Sequence, residues 1–210
     1  MSASPLLHVA DALKRIIASA TSLETQTVAL ADTLGRTLAE DISAQRTQPP
    51  FPASAMDGYA VRAEDVARVP VTLKVIGTSA AGHGFAGRVN AGEAVRIFTG
   101  APVPDGADTI IIQENTNQLD GAVEVLQSDK LGTYVRPAGL DFKTGDVLLK
   151  KGTRLGPCEL AIAAAMNHGT LPVVRRPRIA ILATGDELVQ PGQNPGPDQI
   201  VASNTFAVGA

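Results

Sequence analysis

Between residues 53 and 150, runs of β-branched and aliphatic side chains are interrupted by glycine every few positions, which limits this region to short strands joined by tight turns. The runs are 71–76, 95–98, 109–113, 123–126 and 147–149. Between them fall Gly82, Gly84, Gly87, Gly92, Gly100, Gly106, Gly121 and Gly145, with no fixed repeat period. The pair Asp120-Gly121, between Leu119 and Ala122, predicts a hairpin. A helical bundle is excluded. Glycine and proline together make 20 + 14 = 34 of 210 residues, about 16% against an average near 12%. Ahead of this region, residues 48–52 read QPPFP, and consecutive prolines hold such a segment extended, as a linker or domain crossing.

Helices are predicted on both sides. Over 4–20, Leu6, Val9, Ala10, Leu13, Ile16, Ile17 and Ala20 follow the three-four spacing of one buried face, with Ser4 as cap and Pro5 at the first helical position. Val28 and Leu30 then alternate like a strand, 32–35 reads as a turn, and 38–42 as extended chain. The second helix opens at Gly156-Pro157, with Leu160, Ala161, Ala164 and Ala165 as its face and Gly169 as its stop. Pro172 and Pro177 bracket Arg175 and Arg176, which suits a domain junction.

Residues 179–183 form a continuous apolar run that reads as a strand buried on both faces. Such a strand needs parallel neighbours, each reached by a crossover of about a dozen residues or more. Only 27 residues follow Ala183, and they include Pro191, Gly192, Pro195, Gly196 and Pro197 before a helix-like start near Asn204. The neighbouring strands are therefore expected outside this chain, which is expected to be a fragment with an α/β domain starting near residue 178.

The net charge of -3 argues against bulk electrostatic capture of nucleic acid or an anionic membrane. The longest apolar run, residues 160–166, is far too short to span a bilayer, and Leu6-Leu7 is followed by His8 and Asp11 rather than a secretory pattern. A soluble cytoplasmic protein is expected. The lone cysteine, Cys158, excludes an intrachain disulfide framework and a multi-cysteine zinc site, and is expected to be buried. His8, His83 and His168 are not spaced as metal ligands.

Four segments carry candidate chemistry. In SAMDGYAV (54–61), Asp57-Gly58 reads as a sharp turn that projects a carboxylate able to hold a cation, or one that closes an Asx-turn. In RIFTGAPVPDGAD (96–108), a strand ending at Thr99-Gly100 leaves a hydroxyl and backbone donors suited to an oxyanion, or a hairpin loop stiffened by proline. In RPAGLD (136–141), Arg136 can fork onto a phosphate or carboxylate, and Asp141 can meet a metal or Arg136 itself. In TGDEL (184–188), Asp186 and Glu187 lie at the end of the expected buried strand, where ligands of open α/β sheets bind and where paired carboxylates suit magnesium, or they form an acidic surface turn. Ser203-Asn204 is placed on the following loop.

In this order the four segments resemble the molybdopterin molybdenumtransferase family, the MoeA type, whose eukaryotic relatives include the E domain of gephyrin. The resemblance runs from the first helix to residue 210 and corresponds to about the first half of a family member. It implies an α+β fold in which a discontinuous α/β domain (1–48 and 145–177) carries an inserted all-β domain (49–144). A molybdopterin-binding α/β domain then begins at 178–210. It also implies insertion of molybdate into adenylylated molybdopterin with release of AMP, assisted by Mg2+, in a homodimer whose cleft brings the third domain against the partner's β domain. Asp57, Thr99 and Glu187 are the implied catalytic residues, with Asp141, Arg136 and Ser203 holding substrate and Glu187 with Asp186 holding the metal. Where many family members carry Glu-Asp, this chain has Leu140-Asp141. The alternative from another class is a non-catalytic dimeric scaffold that binds a partner protein.

Overall fold

A computed structural model of the chain describes residues 7–210. The expected cap at Ser4 and Pro5 lies outside the described residues. The elements in chain order are α1 (Val9–Ala18), β1 (Thr25–Ala29), β2 (Ile42–Ser43), β3 (Ala53–Ser54), β4 (Gly58–Val61), β5 (Val71–Ser79), β6 (Glu93–Ile97) and β7 (Thr109–Ile112). They continue with β8 (Thr116–Leu119), β9 (Ala122–Val125), β10 (Val135–Arg136), β11 (Val147–Leu149), α2 (Pro157–Ala165), β12 (Thr170–Val174), β13 (Leu188–Val189), β14 (Ile200–Val201) and α3 (Asn204–Gly209). The fold is α+β. It divides into two compact units: Gln26–Val173, and the described residues up to Thr25 together with Val174–Ala210.

In the larger unit, six strands form one mixed sheet in the order β7-β4-β6-β5-β9-β8. Only β5 and β6 run parallel; the other neighbours are antiparallel. Period-two alternation sorts the side chains to two faces. Tyr59, Val61, Leu73, Ala94, Ile111, Val123 and Val125 build a core on one. Ala60, Val89, Val95, Ile97, Ala101 and Ile110 build a core on the other. The β8–β9 hairpin turns at Asp120-Gly121, with Leu119 opposite Ala122.

A third core lies in the same unit and draws on two distant stretches of sequence. Leu38, Ile42 and Ala44 pack with Leu149, Leu155, Ala163, Met166, Leu171 and Val173. The pairs β1–β12 and β2–β11 bring these stretches together. α2 opens on Pro157 as expected, and the Glu159 carboxylate accepts from the Gly156 N–H at 2.9 Å to close its first turn. Its buried face is Ala163 with Met166, supported by Leu160; Ala161, Ala164 and Ala165 are exposed. The helix is short and nearly all apolar, so periodicity alone could not orient it. Asn167, at φ 73°, takes the left-handed position expected of Gly169. Cys158 is exposed, because it sits in the first turn on the outer side.

In the smaller unit, α1 forms as its spacing predicts, with the His8 ring nitrogen accepting from Ala10 N–H at 3.4 Å. The expected buried face is exposed: no residue of α1 is buried, and Val9, Leu13, Ile16 and Ile17 all face outward. Apolar spacing specifies which side seeks cover, not what provides it. Residues 179–183 form no strand, and Ile179 and Leu182 are 77% and 86% exposed. Propensity without ladder partners does not hold a strand. The parallel pairing falls instead between β13 and β14, two residues each, followed by α3 near the expected Asn204.

A carboxylate site on the mixed sheet

Asp57 lies between β3 and β4, immediately before β4 begins at Gly58. Ser54, almost fully buried, closes the bend ahead of it: its Oγ donates to Met56 O at 2.6 Å and accepts from Met56 N–H at 3.3 Å. Gly58 then enters β4 directly, so the Asp57-Gly58 pair is a strand entry rather than the expected sharp turn. Glycine is required here by close approach. A Cβ on Gly58 would overlap the Ile111 carbonyl oxygen and lie 2.8 Å from its carbon and 2.9 Å from Ile112 Cα.

Thr99, just past the end of β6, binds the Asp57 carboxylate twice, its backbone N–H and its hydroxyl each donating to Oδ1 at 2.7 Å. The Thr99 N–H and then its hydroxyl hold the Asp57 carboxyl below its ordinary value; burial opposes them more weakly, and the charge of Arg96 adds the smallest lowering effect. Asp57 is therefore an ionised acceptor at neutral pH, and among the described residues no hydrogen bond reaches its Oδ2. The donors expected to face an oxyanion are committed within the protein. Thr99 gives both to Asp57, Gly100 N–H donates to Ser54 O at 2.8 Å, and Ala101 N–H to Phe98 O at 2.9 Å.

Beside this pair lies a cavity of about 260 Å³ lined by Gln48, Pro49, Pro50, Phe51, Ala53, Ser54, Ala55, Thr99, Gly100, Arg136 and Asp141. Arg136 reaches it from β10, which pairs with β3. Its Nη2 lies 3.5 Å from Asp141 Oδ1, both side chains being about half exposed, so the pair orients the two groups more than it stabilises the fold. The fold thus gathers Thr99, Arg136 and Asp141 on one cavity, with Asp57 bonded to Thr99 at its edge.

Asp186, Glu187 and Ser203 belong to the smaller unit. The Glu187 carboxylate folds back against Gly185, where an added Cβ would lie 2.7 Å from its carboxyl carbon. Both acids are exposed. Ser203 and Thr184 line a separate cavity of about 480 Å³ in which neither acid takes part. Among the described residues, no three His, Cys, Asp or Glu side chains cluster as a metal site. No described helix is long and apolar enough to cross a membrane.

The sequence reading of 48–52 as a linker or domain crossing gave the segment no part in a site, whereas Gln48, Pro49, Pro50 and Phe51 wall the cavity. It also passed over Arg96, whose strand position two residues before Phe98 places both on one face. The loop GHGFAG (82–87) has the spacing of a dinucleotide-binding turn. Here it leads into β6 instead of a helix, so that geometry is not formed.

The family described as the MoeA N-terminal region (domain I and II) matches residues 7–167. A molybdopterin molybdenumtransferase of Nostoc sp. is 42% identical over 191 residues, covering 89% of this chain and 44% of that protein. The Bacillus subtilis molybdopterin molybdenumtransferase is 38% identical over 210 residues, covering 96% and 49%. Two crystal structures of the molybdopterin biosynthesis MoeA protein from Pyrococcus horikoshii superpose with TM-scores of 0.81 and 0.86, at 36% and 33% identity. They cover 97% and 95% of this chain and 53% and 54% of theirs. The chain spans about half the length of the curated relatives it matches. On the match over residues 7–167 and these relatives, the chain belongs to the MoeA N-terminal family.

Proposed function

We propose that this chain serves molybdenum cofactor biosynthesis, in the step that inserts molybdate into the dithiolene of adenylylated molybdopterin and releases AMP. The observation that carries this reading is the assembly of Thr99, Arg136 and Asp141 on one cavity, with Asp57 bonded to Thr99, in a chain 42% identical to a protein named for that transfer. In this reading Thr99 fixes the ionised Asp57, leaving Oδ2 to orient water or a cation. Arg136, steered by Asp141, offers its guanidinium fork to the phosphate of the substrate. Ser203 contributes a hydroxyl to the substrate from the cavity it lines.

Mg2+ would be held by Glu187 with Asp186. Two adjacent exposed carboxylates offer hard oxygen ligands, and a cation that keeps its waters and borrows phosphate oxygens needs no third acid. Bound there, the ion would offset charge building on the departing phosphate. We also propose a homodimer, supported by the uncovered apolar face of α1. The proposed domains are 1–48 with 145–177, then 49–144, then a third that includes 178–210. Separate cores from 38–44 with 149–173, and from 59–125, support the first two.

The test is a chimera in which this chain replaces the corresponding half of the Bacillus subtilis relative, assayed for molybdate-dependent release of AMP from adenylylated molybdopterin. Release above the no-molybdate control, and its loss on Asp57→Ala, supports the reading. A folded chimera that releases no AMP, or one in which Asp57→Ala, Thr99→Val and Glu187→Gln together change nothing, overturns it in favour of a scaffold.

A further inference from the structure

Arg96 holds a position that the proposed chemistry does not use. Its guanidinium lies 5.1 Å from the centre of the Tyr59 ring and 4.9 Å from that of Phe98. Both distances are within the range of an attractive cation–ring contact. Tyr59 stands directly opposite Arg96 across the β4–β6 pair, and Phe98 follows two residues later on the same face. Within this clamp the fork spends its donors on backbone and amide groups. Nη1 donates to Gly58 O at 3.2 Å, and Nη2 donates to Gln113 Oε1 at 2.7 Å. Gln113 in turn gives its own N–H to Asp57 O at 3.1 Å.

The guanidinium therefore ties the start of β4 to the end of β7, on either side of the peptide that presents Asp57. Its own strand, β6, runs on into Thr99, which grips the carboxylate. We propose that Arg96 is the positioning residue for Asp57, fixing from the backbone side the carboxylate that Thr99 fixes from the other. The inference rests on the reading above for its consequence, since a fixed Asp57 matters to the reaction only if Asp57 takes part in it. Lysine cannot substitute, because a single ammonium group neither fills the flat space between two rings nor reaches two acceptors in one plane.

The test uses the 210-residue chain alone, without substrate, and reads amide exchange and the Asp57 carboxyl titration by NMR in the parent, Arg96→Gln and Arg96→Lys. In Arg96→Gln the Thr99 and Gln113 amides are expected to exchange about fivefold to tenfold faster, as the loss of one net hydrogen bond allows. The Asp57 midpoint is expected to rise, while ladder amides of β5 and β9 keep their parent rates. Arg96→Lys, which keeps a charge, is expected to show the same local acceleration and carries the test if the glutamine variant does not fold. Parent exchange rates at Thr99 and Gln113 in either variant overturn the proposal. Equal acceleration of every slow amide in Gln26–Val173 overturns it as well, since that marks a purely structural role. These measurements are independent of AMP release, so either idea can fail while the other stands.

Discussion

Replacing Gly58 with alanine tests the central geometric statement, that β4 and β7 approach too closely for any side chain at the position after Asp57. The added Cβ would meet backbone, not a movable side chain, at 2.8 Å from Ile111 C and 2.9 Å from Ile112 Cα, with the Ile111 carbonyl oxygen nearer still. Ordinary contact begins near 3.4 Å, so the strands must part by at least 3.4 − 2.8, about 0.6 Å, and further at the oxygen. Overpacking of a tight interior costs about 1–3 kcal/mol. Parting the strand ends also weakens ladder bonds worth about 1 kcal/mol each. With one such bond weakened, the expected loss is about 2–4 kcal/mol, or roughly 10 °C in Tm for a chain of this size.

The control is Gly92→Ala. Gly92 has φ +74° and nothing within 4 Å of an added Cβ, so alanine there meets only the left-handed backbone penalty of about 1–2 kcal/mol. The chain lacks tryptophan and Tyr59 is one of two tyrosines, so urea unfolding is followed by far-UV circular dichroism with near-UV tyrosine ellipticity as a second probe. The pair should separate by about 1–2 kcal/mol, the sum above less the backbone penalty. A Gly58→Ala variant that unfolds no earlier than Gly92→Ala would falsify the close approach.

Met166→Ala removes a fully buried side chain from the core that joins 38–44 to 149–173; it should cost about 2–5 kcal/mol by urea unfolding. Glu159→Ala opens the first turn of α2 by releasing the Gly156 N–H and should cost about 1 kcal/mol in the same assay. Leu182→Ser should shift stability by less than about 0.5 kcal/mol, because the side chain is 86% exposed; a core-sized loss would restore the buried strand. The Asp57 carboxyl is held below 3.8 in the folded chain, chiefly by the Thr99 N–H. Its contribution is therefore present above the unfolded value and lost as pH falls through the lowered folded one. The parent's advantage over Asp57→Asn in urea midpoint should accordingly shrink between pH 5 and pH 2, and a gap that widens on acidification refutes the assignment.

Features set by neighbours in sequence were legible. β5, β6, β7, β9 and β11 lie where β-branched runs fall between glycines, and the Asp120-Gly121 hairpin and Pro157 helix start obey local backbone rules. Residues 179–183 failed for the opposite reason. Their composition is that of a buried strand, but a strand also needs pairing and cover, which no local pattern records. α2 failed on the same account, since a helix apolar all round leaves the choice of buried face to Leu155, Leu171 and the other residues it meets.

The site shows where local and long-range information divide. Asp57 and Thr99 could be named from their segments because each carries an oxygen at the end of a strand-like run. Their bond spans 42 positions of sequence and depends on the β4–β6 register, which sets Gly58 opposite Ile97 and thereby brings Asp57 beside Thr99. A shift of β4 by one residue in that register would turn Tyr59 to the face opposite Arg96 and separate the two oxygens. The register is in turn held by Val95 and Ile97 on one side, and by Tyr59 and Ala94 on the other, each buried in its own core. Burial on both faces therefore places the carboxylate: a slip that moved Asp57 away from Thr99 would exchange the occupants of two closed cores at once.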